Sequence, residues 1–134
     1  MRNTRNTIQR TLVLGALREL NHPNADEIYD KIVKTKPNIS RGTVYRNLNL
    51  LADNHEILRI TVSGGADRFD ANIHYHCHFL CTECLKIFDI DAEFPTGLLS
   101  NIKNSNGYFV DGYDIIYKGT CQNCMYNRVK SEQP

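Results

Sequence analysis

Two Cys-x-x-Cys pairs, Cys81/Cys84 and Cys121/Cys124, bracket the second half of this chain, and the run His74-Tyr75-His76-Cys77-His78 stands just ahead of the first pair. Zinc in a closed structural site takes four thiolates in a tetrahedron, so the paired cysteines suffice for one ion and leave the histidines over. His76 and His78 are two residues apart and share one face of an extended strand, as two ligands of one ion must, and His74 falls on that face as well. Asp70 and Asp89 flank the run and can add carboxylate oxygens. Imidazole and carboxylate suit iron or manganese. The chain therefore reads as built for two metals, a closed zinc site that holds the fold and a second site able to respond to conditions. Four thiols packed as small hydrophobes are the plain alternative for the cysteines. Two separate C-x-x-C units favour metal over that and, in a reducing compartment, over disulfides.

Three helical patterns must come before these ligands. The first runs from about Thr7 to Leu20, with Ile8, Leu12, Ala16 and Leu20 at four-residue spacing. After Asn21-His22-Pro23, Asn24 with Glu27 three residues on signals a capped helix carrying Ala25, Ile28, Tyr29, Ile32 and Val33. His22 is locally ambiguous, and only the fold can bring it to the other histidines. Ser40 caps a third helix through about Asn54, with Val44, Leu48 and Leu51 inward and Arg41, Thr43, Tyr45, Arg46 and Asn47 outward. Ile57–Val62 and Ala66–Phe69, joined by Ser63-Gly64-Gly65, read as a hairpin. Three helices and a hairpin make a winged helix, with the third helix as recognition helix.

On that helix Tyr45 is expected to meet a thymine methyl and Arg46 a phosphate or base edge, with Thr43 beside them, while Arg41 and Arg10 are expected on phosphate. The second half changes character. Strands are expected at Tyr75–Leu80 and Lys86–Ile90, a helix from Pro95 carrying Leu98, Leu99 and Ile102, strands near Tyr108–Val110 and Ile115–Lys118, and a loose tail at Ser131–Pro134. Cys84 and Cys121 are separated by 36 residues (121 − 84 − 1), longer than a compact zinc ribbon, so the site must clamp the end of the chain onto the start of this part. The expected class is α+β, with residues 1–70 a winged-helix DNA-binding domain with hinge and residues 71–134 a metal-binding dimerisation domain.

Charge divides the same way. Residues 1–68 carry eleven Lys/Arg against seven Asp/Glu, a balance of +4, and residues 69–134 carry five against eight, a balance of −3. A basic half joined to an acidic, ligand-rich half suggests a polyanion-binding module attached to a cation-binding one. Two small domains have little apolar core each, so metal or dimerisation must add stability. The Met1–Arg5 start is followed by no apolar cleavage region, and apolar runs fall far short of the ~20 residues that span a bilayer, so a cytoplasmic protein is expected. The absence of His-x-Glu and His-Glu-x-x-His disfavours a zinc hydrolase or deaminase. A protein-interaction module held by zinc would leave the polar face of Arg41–Asn47 without a purpose.

The chain resembles the ferric uptake regulator family of metal-dependent bacterial repressors, and within it the peroxide-sensing branch. The resemblance is carried by Thr7-Ile8-Gln9-Arg10, His22–Tyr29, Ser40–Leu48, Arg68-Phe69-Asp70, the His76-x-His78-x-x-Cys81-x-x-Cys84 run, Gly107-Tyr108 and Gly119-Thr120-Cys121-x-x-Cys124. It implies a homodimer on a double-stranded DNA operator, an inverted repeat, with regulatory iron(II) or manganese(II) held by His22, Asp70, His76, His78 and Asp89. It also implies peroxide sensing through oxidation of His22 and His76, aspartate at positions 70 and 89 being the mark of that branch where iron-uptake relatives tend to have glutamate. An iron- or zinc-responsive uptake regulator is the alternative within the family. Tyr113 stands where relatives often have an accessory histidine ligand. Lys86 replaces a common glycine, and His74 and Cys77 are additions. Cys77, on the strand face opposite His76 and His78, reads as a packing residue.

Overall fold

A computed structural model describes residues 5–74, 76–93 and 95–132, apart from the side chains of Asn6 and Glu132. It divides into one unit of Met1–His74 with Leu85–Ile87 and a second of Tyr75–Cys84 with Phe88–Pro134. The fold is α+β.

The first unit holds α1 (Arg5–Glu19), α2 (Ala25–Val33), α3 (Arg41–Asp53), β1 (Leu58–Ile60) and β2 (Arg68–Asp70). Its core is Val13, Ala16 and Leu17 of α1, Ile28 and Ile32 of α2, Val44, Leu48, Leu51 and Ala52 of α3, with Ile57 and Phe69 beneath the hairpin. The inward stripe of α1 thus differs from the expected four-residue ladder, and Ile8 is half exposed. A strict spacing of four drifts around a helix of 3.6 residues per turn, so alternating steps of three and four keep the packed face. Asn24 caps α2 through a full capping box, its side chain taking the Glu27 N–H at 2.8 Å while Glu27 reaches back to the Asn24 N–H. Ser40 caps α3 through the Thr43 N–H at 3.1 Å. Asn47, expected outward, is buried, and its amide donates to the Thr43 carbonyl at 2.8 Å. That local bond satisfies the amide and lets it turn inward.

The hairpin is shorter than its apolar runs suggested. β1 and β2 pair antiparallel as Leu58↔Asp70, Arg59↔Phe69 and Ile60↔Arg68, with a connection over 61–67. β2 has a second neighbour, because Asn24 bridges Arg68 and the Phe69 N–H donates to the Pro23 carbonyl at 2.9 Å. The segment ahead of α2 is thereby tied to the strand that ends in Asp70.

The second unit carries β3 (Cys77–Cys81), β4 (Ile87–Ile90), β5 (Ile116–Gly119) and α4 (Gln122–Glu132), β4 starting at the last residue of the first unit. The sheet order is β4-β3-β5, and β3 and β5 are parallel, pairing His78↔Ile116 through Cys81↔Gly119. The expected start of β3 at Tyr75 lies outside the described residues. Several expectations for this half are corrected. The helix from Pro95 is a single turn, with Asn101 N–H on the Gly97 carbonyl, and Leu98, Leu99 and Ile102 are exposed. An isolated turn is not stable as a helix without a surface on which to bury its stripe. Tyr108–Val110 forms no strand, and Phe109 is 91% exposed. The segment expected to end in a loose tail is helix through Glu132, with the Met125 N–H bonded to the Cys121 carbonyl and Ser131 Oγ to the Arg128 carbonyl. Gln133 and Pro134 lie outside the described residues.

Replacing Asn24 by Ala removes one half of the capping box and is expected to cost about 1 kcal/mol of stability. Chemical denaturation read by helical circular dichroism checks it.

Candidate metal centres and candidate DNA interface

The turn after β3 carries Cys84 back beneath Cys81, and the end of β5 delivers Cys121 at the first turn of α4, whose helical spacing brings Cys124 round. One sulfur from each of Cys81, Cys84, Cys121 and Cys124 lies within 4.8 Å of the other three. The Cys84 and Cys121 sulfurs are 3.9 Å apart. A tetrahedron with zinc–sulfur bonds of about 2.3 Å has edges of about 3.8 Å, so the four thiols fit zinc. Backbone N–H groups add to the fit. Those of Cys121 and Cys84 point at the Cys81 sulfur at 3.3 and 3.5 Å, and that of Cys124 at the Cys121 sulfur at 3.5 Å. Burial alone would raise the Cys81 thiol, but the N–H groups of Cys84 and Cys121 together with hydrogen bonds from their thiols outweigh it and lower it to about 6. Cys124 is pushed the other way, to about 12, by its hydrogen bond to Cys121 and by burial. One sulfur is thus ready as a thiolate while another holds its proton, and a metal would displace that proton.

The histidines and aspartates fall into two groups, one in each unit. In the first, His22 Nε2 lies 3.2 Å from Asp70 Oδ2, and both side chains are largely buried. His22 adopts φ 45°, a left-handed conformation that a residue with a side chain holds only when its surroundings impose it. Arg68 imposes it. Its Nη1 donates to the His22 carbonyl at 3.1 Å and pairs with Glu27 at 3.0 Å, while the backbone bond between Phe69 and Pro23 closes the other side. In the sequence Arg68 stands in the Arg68-Phe69-Asp70 motif with nothing local to give it this role. Its signal was position, two residues before Asp70.

In the second unit His76 and His78 turn toward Asp89 of β4, their Nε2 atoms 3.1 and 3.8 Å from its Oδ1. The two rings meet edge to face with centroids 4.2 Å apart. Ligands about 2.1 Å from one ion stand roughly 3.0–3.4 Å from each other, so His76 and Asp89 already stand at chelating distance and His78, at 3.8 Å, reaches it by closing in a few tenths of an ångström. Cys77 between them faces the other way, buried, with its sulfur 3.6 Å from the Ala92 carbonyl. His74 belongs to neither group of metal-ligand candidates.

Arg41, Tyr45 and Arg46 of α3 are exposed and Thr43 is half-buried, but not all of them are unengaged. Arg41 pairs with Asp26 at 2.6 Å and lies over the Tyr29 ring, and the Tyr45 hydroxyl donates to the same Asp26 carboxylate. That hydrogen bond, with burial second, raises the Tyr45 hydroxyl above its ordinary value. Thr43 is occupied at the cap, its hydroxyl 2.9 Å from that of Ser40. Among the described residues, Arg46 meets the Thr43 hydroxyl, at 3.5 Å, and no carboxylate. On α1, Arg10 is paired with Glu56. Asp26 and Glu56 were missed by the sequence reading, because nothing local to either says which arginine it will face.

The sequence pattern of the ferric uptake regulator family matches residues 1–117. This chain belongs to that family. It is accordingly a metal-responsive transcriptional repressor that binds DNA, and not an enzyme. Among similar members, the peroxide-responsive repressor PerR of Staphylococcus aureus is 34% identical over 109 residues, which are 78% of this chain and 70% of that protein. The Campylobacter jejuni peroxide stress regulator is 32% identical with a TM-score of 0.68, over 89% of this chain and 90% of that one. The Helicobacter pylori ferric uptake regulator shares the fold at a TM-score of 0.73 and 24% identity, over 93% and 83% of the two chains. Family regulators act as dimers on DNA. No helix among the described residues is long and apolar enough to cross a membrane.

Cys81→Ser and Cys124→Ser are each expected to lose bound zinc and cooperative folding of the second unit, since structural zinc contributes on the order of 10 kcal/mol to small domains. Zinc analysis with thermal unfolding decides, and a stable zinc-loaded Cys124→Ser protein contradicts the four-sulfur assignment. Arg68→Ala should loosen His22 and weaken manganese(II) binding by about 10–100-fold while leaving the zinc content unchanged, as measured by metal titration.

Proposed function

We propose that this protein represses transcription as a homodimer and senses hydrogen peroxide, with zinc in the four-sulfur site and one iron(II) or manganese(II) ion taking ligands from both His22–Asp70 and His76–His78–Asp89. The reading divides the chain into residues 1–70 for DNA binding and residues 71–134 for regulation and dimerisation. It places the protein in the cytoplasm, on an operator arranged as an inverted repeat. The observation that carries it is the convergence of two imidazoles on one aspartate in the second unit, matched by a buried His–Asp pair in the first. Relatives named for peroxide response supply the stimulus.

An ion held by residues on both sides of a hinge sets the relative orientation of two domains, and in a dimer that sets the separation of two recognition helices. Ion affinity then becomes DNA affinity by linkage. Iron(II) in such a site supplies electrons to peroxide, a chemistry that manganese(II) does not supply as readily. His22 and His76 are the residues whose oxidation removes a ligand, and each belongs to a different group, so loss of either uncouples the two. Asp70 and Asp89 keep their oxygens on short side chains and so define where an open coordination position is left. The dimer reading draws on the exposed Tyr108, Phe109, Met125, Tyr126 and Val129 of the second unit, more apolar surface than a monomer ordinarily leaves to water. On DNA, Tyr45 would meet a thymine methyl and Arg46 a phosphate or base edge, with Thr43, Arg41 and Arg10 at the margins.

Peroxide treatment of the iron-loaded protein is expected to release DNA and to add one oxygen, about 16 Da, to peptides bearing His22 or His76, with manganese protecting both. Mass spectrometry reads the site. Oxidation confined to Cys77 or the four sulfurs would make the protein a thiol sensor, and none at all would favour an iron- or zinc-responsive uptake regulator. Asp89→Glu should still repress with metal but respond poorly to peroxide, whereas His22→Ala keeps the other four ligands and loses repression.

A further inference from the structure

The basic face of α3 has an acid at its centre. Asp26 stands in the first turn of α2, where a carboxylate is favoured by the helix N-terminus, and its side chain is 59% exposed. Its Oδ1 receives both the Arg41 guanidinium, at 2.6 Å, and the Tyr45 hydroxyl, residues fifteen and nineteen positions further along the chain. Arg41 is also stacked on the Tyr29 ring, 4.4 Å from its centroid. Arg46, one residue beyond Tyr45, has no carboxylate partner among the described residues. Two arginines on one short helix therefore present different charge to a polyanion.

We propose that Asp26 determines sequence specificity at the DNA interface, withholding the Arg41 charge from phosphate and fixing the Tyr45 ring for contact with base edges. The inference rests on α3 being the helix that meets DNA. Asp26 is a positioning residue, acting through Arg41 and Tyr45. Non-specific binding is phosphate neutralisation with release of counterions, about 0.9 per neutralised phosphate on double-stranded DNA. When Arg41 passes from Asp26 to a phosphate, the counterion released from DNA is offset by one gathered at the vacated carboxylate, and the net salt dependence is near zero. An encounter that offers only phosphate gains little from Arg41, whereas one that also offers the right base edge gains the Tyr45 contact. Discrimination is a difference of affinities, and an acid beside the reading face widens it by penalising the wrong partner. Anchoring the hydroxyl also keeps Tyr45 from bonding to phosphate at any sequence. Because the pair is exposed, its replacement leaves the fold intact.

The test is a set of binding isotherms with the full chain, loaded with zinc and manganese(II), on a duplex of scrambled sequence and on the duplex this protein enriches from a random library. Asp26→Asn should steepen the dependence of log K on log salt by about 0.9, a further loss of about 3.5-fold in affinity between 50 and 200 mM salt. The same variant should tighten on the scrambled duplex more than on the enriched one, so the ratio of affinities falls. Arg41→Ala should leave the slope of the wild type almost unmoved and cancel the steepening in the Asp26→Asn background. Asp26→Glu, which keeps the charge, should keep the wild-type slope. An Asp26→Asn protein with unchanged slope and ratio overturns the inference, as does a full unit lost on Arg41→Ala alone. An Arg46→Ala protein that keeps the wild-type affinity for both duplexes instead removes α3 from the DNA interface, and the inference with it.

Discussion

The four sulfurs are the constraint on which the second unit depends. Cys81 ends β3 and Cys121 opens α4, so their convergence holds together two stretches of chain that a long intervening segment separates. The parallel pairing of β3 with β5 brings Cys81 opposite Gly119, two residues before Cys121. A Cβ on Gly119 would stand 3.2 Å from the Phe79 ring, so any larger residue there requires that ring to give by a few tenths of an ångström. With a small apolar core and a short sheet, this unit has few other contacts that oppose the entropy of closing so long a loop. His78 lies near the opposite end of the same strand and His76 just ahead of it, so whatever fixes β3 also fixes them relative to Asp89 on the neighbouring β4.

A different device governs the first unit. His22 sits in a left-handed backbone conformation between two helices, held by Arg68 on its carbonyl and by the strand bond at Pro23. The hairpin, which a winged helix offers to DNA, is thus also the part that orders a metal-ligand candidate. The capping box contributes in the same way, since Glu27 both closes the first turn of α2 and meets Arg68. Ligand placement, helix capping and wing pairing share side chains here. A change in one is therefore felt by the others.

On α3, the proposed recognition role and self-neutralisation compete. A recognition surface that is strongly basic binds DNA everywhere, and selectivity improves when part of its charge is already committed. Asp26 and Glu56 commit Arg41 and Arg10, leaving Arg46 as the arginine of α3 with no acidic partner among the described residues.

Much of this was legible along the chain, because it is local. Capping pairs such as Asn24–Glu27, the Cys-x-x-Cys units and the two-residue spacing of His76 and His78 are written within a few residues, and each has one physical meaning over that span. The winged helix and the α+β class follow from such signals in series. What the sequence did not determine depended on distant partners. Leu98, Leu99 and Ile102 look like a helical stripe, but a stripe becomes a helix only where a surface receives it. α4 went unread because its apolar residues face outward and its start is set by the cysteine knuckle. Asn47 was assigned outward by polarity and went inward because a carbonyl one turn back satisfied it. Whether His22 meets Asp70, which arginine meets Asp26 and how Arg68 is spent are matters of through-space pairing across tens of residues, and only the tertiary structure decides them.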